Sequence, residues 1–393
     1  MIHKHLSHTN NTNKPTIIFL HADNVNGLGD NVIALDSLLA LKRIYQARLV
    51  VFARETLQEL LEGLDFVDEF SLLEGELTTA VNREKINAYN ATYLLSLSCK
   101  TRVLRFFAST NAAIIITRAK LANILRKRFR PVLLLNPSTT HRQTLLLLAR
   151  NIDKTHFDKH IGSIDFLESR VKSSDKQKQE IAHFLATELT RFSRSDFNGN
   201  ATLKSKIAFT KAHRANQTSK QDPLALSLSN SQNPLYLICI NPFTIAATHT
   251  LHLESYLTLI DKVASLPNCI PCICTYSKTH ALLQEALQDY NTKHSCTLQD
   301  RCIIYRNQGG LHNLAAFLET MSCIITGSTG ALHLAENLFT PSIALVSHTD
   351  TKRWGSQDKR YIIIQEPLSR ISKELESSVI DSSIAKLQEL LPR

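Results

Sequence analysis

The chain has 393 residues, of which 43% are hydrophobic and 20% charged, and carries a net charge of +10 at pH 7. That length suffices for two domains with cores of their own, and the composition is that of an ordinary soluble globular protein. No apolar run approaches the roughly 18–20 residues needed to cross a bilayer, and the opening MIHKHLSHTNNTNK lacks the apolar stretch of a secretory signal, which excludes both classes and points to a cytoplasmic chain.

Residues 1–14 read as a flexible tail, with His3, His5 and His8 solvated rather than bound to metal. The stretch PTIIFLHADNVNGLGDNVIALDSLLALKRIYQARLVVFARE then predicts a strand over 16–22, a Gly-containing loop, a helix from about 30 to 46 and a strand over 48–53. FVDEF, YLLSLS and AAIIIT supply further strands. Between Lys85 and Ile152 there is no Asp or Glu but there are twelve Lys and Arg residues, so this span accounts for the whole excess of positive charge. Its densest part, TRAKLANILRKRFRP, predicts a basic amphipathic helix with Leu121, Ile124 and Leu125 turned inward. Arg118, Lys120, Arg126, Lys127, Arg128 and Arg130 then form a face that attracts phosphate on an anionic membrane, an acidic glycolipid or a nucleic acid, or is simply solvated. Nucleic acid is disfavoured, since no recognised binding motif and little aromatic interleaving accompany the charge.

Residues 153–205 are helical in pattern, and the Ser-, Asn- and Gln-rich RANQTSKQDPLALSLSNSQNP supplies a linker at 212–232. From LYLICINPF onward, strand and helix patterns alternate through HLESYLTLIDKVASL, CIPCICTY, THALLQEALQDY, RCIIY, GLHNLAAFLETM, CIITGS and PSIALVS. The expected organisation is an N-terminal domain over 15–211, a C-terminal domain over 233–365 and a helical segment over 366–393. Both domains are expected to be α/β, doubly wound and Rossmann-like, facing a central cleft where a small ligand binds at the C-terminal ends of the strands. Cys269, Cys272 and Cys274 raise the question of a zinc site, but no second Cys pair follows, and the segment reads as a buried strand with reduced thiols.

Two short segments carry candidate chemistry. In CIITGSTGALHLAENLF a strand stops at Gly-Ser-Thr-Gly and a helix begins, which leaves backbone N–H groups and the positive end of a helix dipole for an anion. Ser328, Thr329 and Gly330 can address phosphate oxygens there, and His333, one turn in, either reaches the same anion or is a packed histidine. In GLGD, Gly27 and Gly29 permit close approach of a ligand to the backbone, while Asp30 is either a helix cap or a general base. SHTDTKRWG lies just beyond a strand end, as an ordinary turn capped by Asp350 or as a ligand loop, and Trp354 is a candidate packing anchor. No Asp-x-Asp occurs, which argues against the metal-dependent sugar-nucleotide transferases.

These segments resemble those of the ADP-heptose:lipopolysaccharide heptosyltransferases, glycosyltransferase family 9. GGLHNLAAFLETMSCIITGSTGALHLAENLFTPSIALVSHTDTKRWG follows the family's run in register, GLGDNVIALDSLLALKRIY with DFVDEF matches its opening unit, and HRQTLLLLARNID is similar to a third segment. The resemblance implies a two-domain GT-B fold and no cofactor, with a nucleotide sugar such as ADP-heptose as the donor substrate. It implies Asp30 as the base on the acceptor hydroxyl, Thr329, Gly330 and His333 on the donor diphosphate and sugar, and Asp350 and Arg353 shaping the donor pocket. The basic span would then face a phosphorylated, lipid-linked oligosaccharide acceptor at the inner face of the cytoplasmic membrane. Two departures stand out. Ser328 replaces an acidic residue, and His249 stands where the family has a phosphate-loop Lys, with Thr244 or Thr248 as the compensating neighbour. They leave open a catalytically silent protein that binds a sugar nucleotide or glycolipid, and, less in keeping with the motifs, a nucleotide-sugar epimerase.

Overall fold

A computed structural model describes residues 14–21, 27–134, 136–192, 235–243, 247–356 and 359–391. The expected tail to residue 13, the linker 212–232 and Thr244 lie outside the described residues. The chain forms two compact units: Met1–Asn26 with Ala34–Ser169, and Gly27–Ile33 with Arg170–Arg393.

In the first unit, β1 (Thr16–Leu20) leads to α1 (Leu28–Tyr45), whose opening residues to Ile33 count with the other unit. There follow β2 (Arg48–Ala53), α2 (Glu55–Leu61), β3 (Glu69–Leu72), α3 (Ala80–Asn87), β4 (Tyr93–Ser96) and α4 (Thr101–Ala108). β5 (Ile114–Arg118), α5 (Leu121–Ile124), β6 (Phe129–Val132), α6 (His141–Arg150) and α7 (Lys154–His160) complete it. All six strands are parallel in the order β3-β2-β1-β4-β5-β6. Helices cover both faces of such a sheet, so its central strands read as continuous apolar runs. Ile17, Ile18, Phe19 and Leu20 of β1 are accordingly buried.

The second unit opens with α8 (Asp175–Leu189), whose N-terminus is closed by a reciprocal Ser174–Gln177 capping box. β7 (Tyr236–Asn241), α9 (Leu253–Ala264), β8 (Cys269–Thr275), α10 (Ser277–His294), β9 (Ile303–Arg306) and α11 (Gly310–Thr320) follow. β10 (Cys323–Gly327), α12 (Gly330–Asn337), β11 (Ser342–Val346), α13 (His348–Trp354), β12 (Lys359–Ile363) and α14 (Lys373–Leu390) end the chain. The second sheet repeats the same plan, parallel in the order β12-β11-β10-β7-β8-β9.

The units divide at Ser169–Arg170 rather than at the 212–232 segment, because α8 packs on α11. The C-terminal segment also belongs to the second unit. Glu376 of α14 is buried, and its Oε1 accepts from the His252 backbone N–H (2.7 Å) at the start of α9.

Two expectations are corrected, and the cysteine segment is as expected. The strand expected to residue 22 ends at Leu20 and the helix begins at Leu28, so Asp30 is the third residue of α1 and not its N-cap. The basic helix expected after residue 118 is only the single turn α5, and Leu121 (90% exposed), Leu125 (93%) and Ile124 (46%) face solvent. The buried residue of that turn is Asn123, which donates to Thr117 Oγ1 (2.8 Å) and Arg118 O (2.9 Å) and accepts from Lys120 N (2.8 Å). A satisfied amide therefore anchors the turn, and four residues are too few to present an apolar stripe. The cysteine segment is β8, buried along its length, with burial pushing the thiol of Cys269 up to about 11 and that of Cys274 up to about 12.

Candidate functional site

In a doubly wound sheet, ligands bind outside the carboxyl ends of the strands where the strand order reverses. In the second unit that point lies between β7 and β10. The two strands are in register with Thr326 opposite Asn241. Asn241 Nδ2 donates to Thr326 Oγ1 (3.2 Å), and Thr326 Oγ1 lies 3.4 Å from Thr329 Oγ1. The Thr329 hydroxyl thus belongs to a polar line across the strand ends. Although Thr329 is the N-cap residue of α12, its side chain accepts no capping hydrogen bond. The Leu332 N–H turns back to Thr329 O (3.1 Å), so the N–H groups of Gly330 and Ala331 are the ones a side-chain cap would have served, with the dipole of the helix behind them.

The GLGD segment belongs to this same unit. A Cβ on Gly330 would lie 2.5 Å from Leu28 Cβ, and one on Gly29 would lie 2.5 Å from His333 Cδ2. Both contacts are closer than any residue with a Cβ allows, so glycine at 29 and 330 is what lets the two helix starts meet. Asp30, 9% exposed, lies in the first turn of α1, where the dipole favours a carboxylate, and its Oδ2 would be 3.2 Å from a Cβ on Gly27. Asn31 Nδ2 donates to Gly27 O (2.8 Å) and fixes the turn. The structure therefore brings Gly27, Gly29 and Asp30 to Gly330 and His333.

His333 is 6% exposed. Its ring meets Trp354 edge-on, with centroids 5.6 Å apart, and its Nδ1 lies 3.7 Å from Glu336 Oε2. Burial pushes the imidazole below its ordinary value; Lys359 pushes the same way, against Glu336 and Asp30. Burial thus favours the neutral ring. Lys359, on β12, is buried, and its Nζ donates to Glu336 Oε2 (2.6 Å) and to Trp354 O (3.1 Å). Burial works against the Glu336 charge, but His333 and Lys359 outweigh it and hold the carboxyl at about 2. Sequence reading missed Glu336 and Lys359. The available signal was a Glu three residues after His333, which places both on one face of a helix.

The remaining candidates divide. Ser328 is half-buried beside Thr329. His249, also half-buried, has Nδ1 3.0 Å from Thr248 Oγ1 in the segment after β7. Thr244 cannot be placed, lying outside the described residues. Asp350 is part of a helix, α13, rather than a turn; Ser347 is the N-cap, donating through Oγ to Asp350 Oδ2 (2.7 Å). Arg353 is exposed, its guanidinium 4.7 Å from the centre of the Trp354 ring. In the first unit, Arg118, Lys120, Arg126 and Lys127 are exposed. Arg128 instead donates to the carbonyls of Ala108, Thr110 and Ala112, and Arg130 to Ile152 O (3.1 Å), so these two hold backbone. Among the described residues, no group of three or more His, Cys, Asp or Glu is placed to hold a metal ion, and no helix is long and apolar enough to cross a membrane.

Residues 275–380, which run from the end of β8 into α14, match the family model for glycosyltransferase family 9 (heptosyltransferase). No curated protein matches the chain by sequence. Among solved structures, a glycosyl transferase family 9 protein from Veillonella parvula is similar at a TM-score of 0.64 and 12% identity, covering 96% of this chain and 97% of that one. Escherichia coli ADP-heptose lps heptosyltransferase II is similar at 0.59 and 17%, covering 96% and 100%. E. coli heptosyltransferase WaaC, solved with ADP-2-deoxy-2-fluoro heptose, is similar at 0.55 and 12%, covering 94% and 99%. The fold is GT-B, and within it residues 275–380 are similar to the family 9 glycosyltransferases.

Proposed function

We propose that this chain, whose 275–380 segment matches the family 9 glycosyltransferase model, transfers a sugar with inversion from a nucleotide sugar to a lipid-linked oligosaccharide. The supporting observation is that GLGD and the start of α12 belong to one unit and touch, Gly29 against His333 and Leu28 against Gly330. A carboxylate is thereby fixed beside a helix start suited to a diphosphate. The Asp30 carboxylate takes the proton of the acceptor hydroxyl, whose oxygen forms a bond to the anomeric carbon. The bond from that carbon to the diphosphate oxygen breaks on the opposite face, and the nucleoside diphosphate departs. The N–H groups of α12 and the Thr329 hydroxyl stabilise the negative charge that develops on it, without a metal ion. His333, enclosed by Gly29, Trp354 and Glu336, holds the GLGD turn in place.

The donor proposed is ADP-heptose, the ligand class named for the similar E. coli enzymes, and the acceptor is a phosphorylated lipopolysaccharide or lipooligosaccharide core at the inner face of the cytoplasmic membrane. Binding to the native state alone raises the melting temperature with ligand concentration. A panel of nucleotide sugars tests the reading: one nucleoside diphosphate sugar should raise Tm by several degrees at a concentration where its free sugar has no effect. No shift with any nucleotide sugar would refute it. A silent sugar-nucleotide binder is the second reading, favoured by Ser328 and by His249 in place of an acid and a lysine. Its signature is a Tm shift with no transfer.

A further inference from the structure

Among the exposed large apolar side chains of the described residues, Leu121 and Leu125 are the most exposed, at 90% and 93%, and Ile124 lies between them at 46%. Exposed apolar residues set singly on a surface call for no explanation, but three within five residues form a patch. The charge around this patch is equally distinctive. Of the twelve cations between Lys85 and Ile152, several are already engaged: Lys85 pairs with Glu74, Arg102 with Glu76, Arg142 with Asp36 and Arg150 with Asp158. Arg128 and Arg130 are turned onto carbonyls. The cations next to the leucines differ. Arg118, Arg126 and Lys127 are exposed and have no acidic partner among the described residues, and Lys120 reaches only the Thr101 hydroxyl (3.2 Å).

We propose that the α5 turn is a membrane-docking element, in which Leu121, Ile124 and Leu125 enter the headgroup region of an anionic bilayer while Arg118, Lys120, Arg126 and Lys127 contact its phosphates. The chemistry selects this occupant. Apolar side chains flanked by unpaired cations match an interface that is apolar inside and negative outside. A protein partner covering the leucines would have to bring acids to four cations at once, whereas a bilayer supplies them at every lateral position. Asn123 makes the display possible, because its buried amide fixes the turn with the leucines outward.

The proposal deepens the membrane side of the proposed function and rests on it for the lipid-linked acceptor. Its test uses neither donor nor acceptor, so the two fail separately. The full-length protein is sedimented with vesicles of phosphatidylcholine alone or mixed with phosphatidylglycerol. Binding is expected only with the anionic lipid and is expected to weaken as salt rises. Replacing both leucines (Leu121→Ser with Leu125→Ser) should lower binding at least tenfold with Tm unchanged, since neither side chain packs in the fold. Arg126→Gln with Lys127→Gln should lower it by roughly fivefold per charge at low salt. Absence of binding by the wild type, or full binding by the leucine variant, would overturn the proposal. So would a wild-type dimer that the leucine variant converts to monomer, because a second copy would then be what covers the patch.

Discussion

Asp30 and His333 show how much of a site depends on residues with no side chain. His333 approaches the start of α1 because glycine stands at position 29, where a Cβ would be 2.5 Å from its ring, and Asp30 lies against Gly27, where a Cβ would be 3.2 Å from Oδ2. Gly29→Ala should therefore cost about 1–3 kcal/mol of stability, in the range of overpacked cores, and should displace Asp30. Adding His333→Ala removes the clash, and the double variant should recover most of the loss in Tm; a strictly additive double variant would contradict the contact. At this scale the sequence was legible for the positions of Asp30, Thr329, Gly330 and His333, because each lies at or within one turn of a strand-to-helix junction. It was not legible for the enclosure of His333, since Trp354 and Lys359 arrive from elements beyond α12. Nor did it show that Asp30 lies inside the first turn, because helix boundaries depend on one or two backbone hydrogen bonds, here that of the Asn31 N–H to Gly27 O (3.4 Å).

The elements that sequence reading passed over are edge strands. β6 and β12 each close one side of a sheet, and both carry charge. Edge strands use charge and proline to block further pairing, as Arg130 and Pro131 do in β6, and this weakens the apolar pattern that betrays a strand. β12 has a second role, because Lys359 ties it to Glu336 of α12. Removing one partner of a buried pair leaves the other charge without compensation, so Lys359→Met should destabilise the fold by ~3–5 kcal/mol, and adding Glu336→Leu should restore much of that. Acid should act in the same place. The Glu336 carboxyl is held at about 2 against an ordinary 4.5, so its contribution is full above pH 4.5 and is lost as the pH falls towards 2. The imidazole of His333, held below 6.5, adds a loss that begins as the pH drops beneath that value. Tm measured from pH 7 to pH 3 should fall in the wild type and fall less in the Lys359→Met/Glu336→Leu variant. Equal slopes would show that the pair is not what titrates.

Across the whole molecule, two parallel six-stranded sheets with one strand plan follow from strands and helices that alternate in sequence, and that much was readable from periodicity. The division between units was not, because α8 resembles any other amphipathic helix until its contact with α11 is seen. The active chemistry proposed here needs two things from the second unit, a helix start that holds a diphosphate and a carboxylate that receives a proton. Steady-state transfer by Asp30→Asn, measured beside donor affinity, separates them. The expected result is a kcat reduced about 10²–10⁴-fold, the range for loss of a general base, with donor Kd within a few-fold of wild type. Transfer by Asp30→Asn at the wild-type rate, or no transfer by the wild type from any donor it binds, would contradict the assignment of Asp30 as the base of a glycosyltransferase.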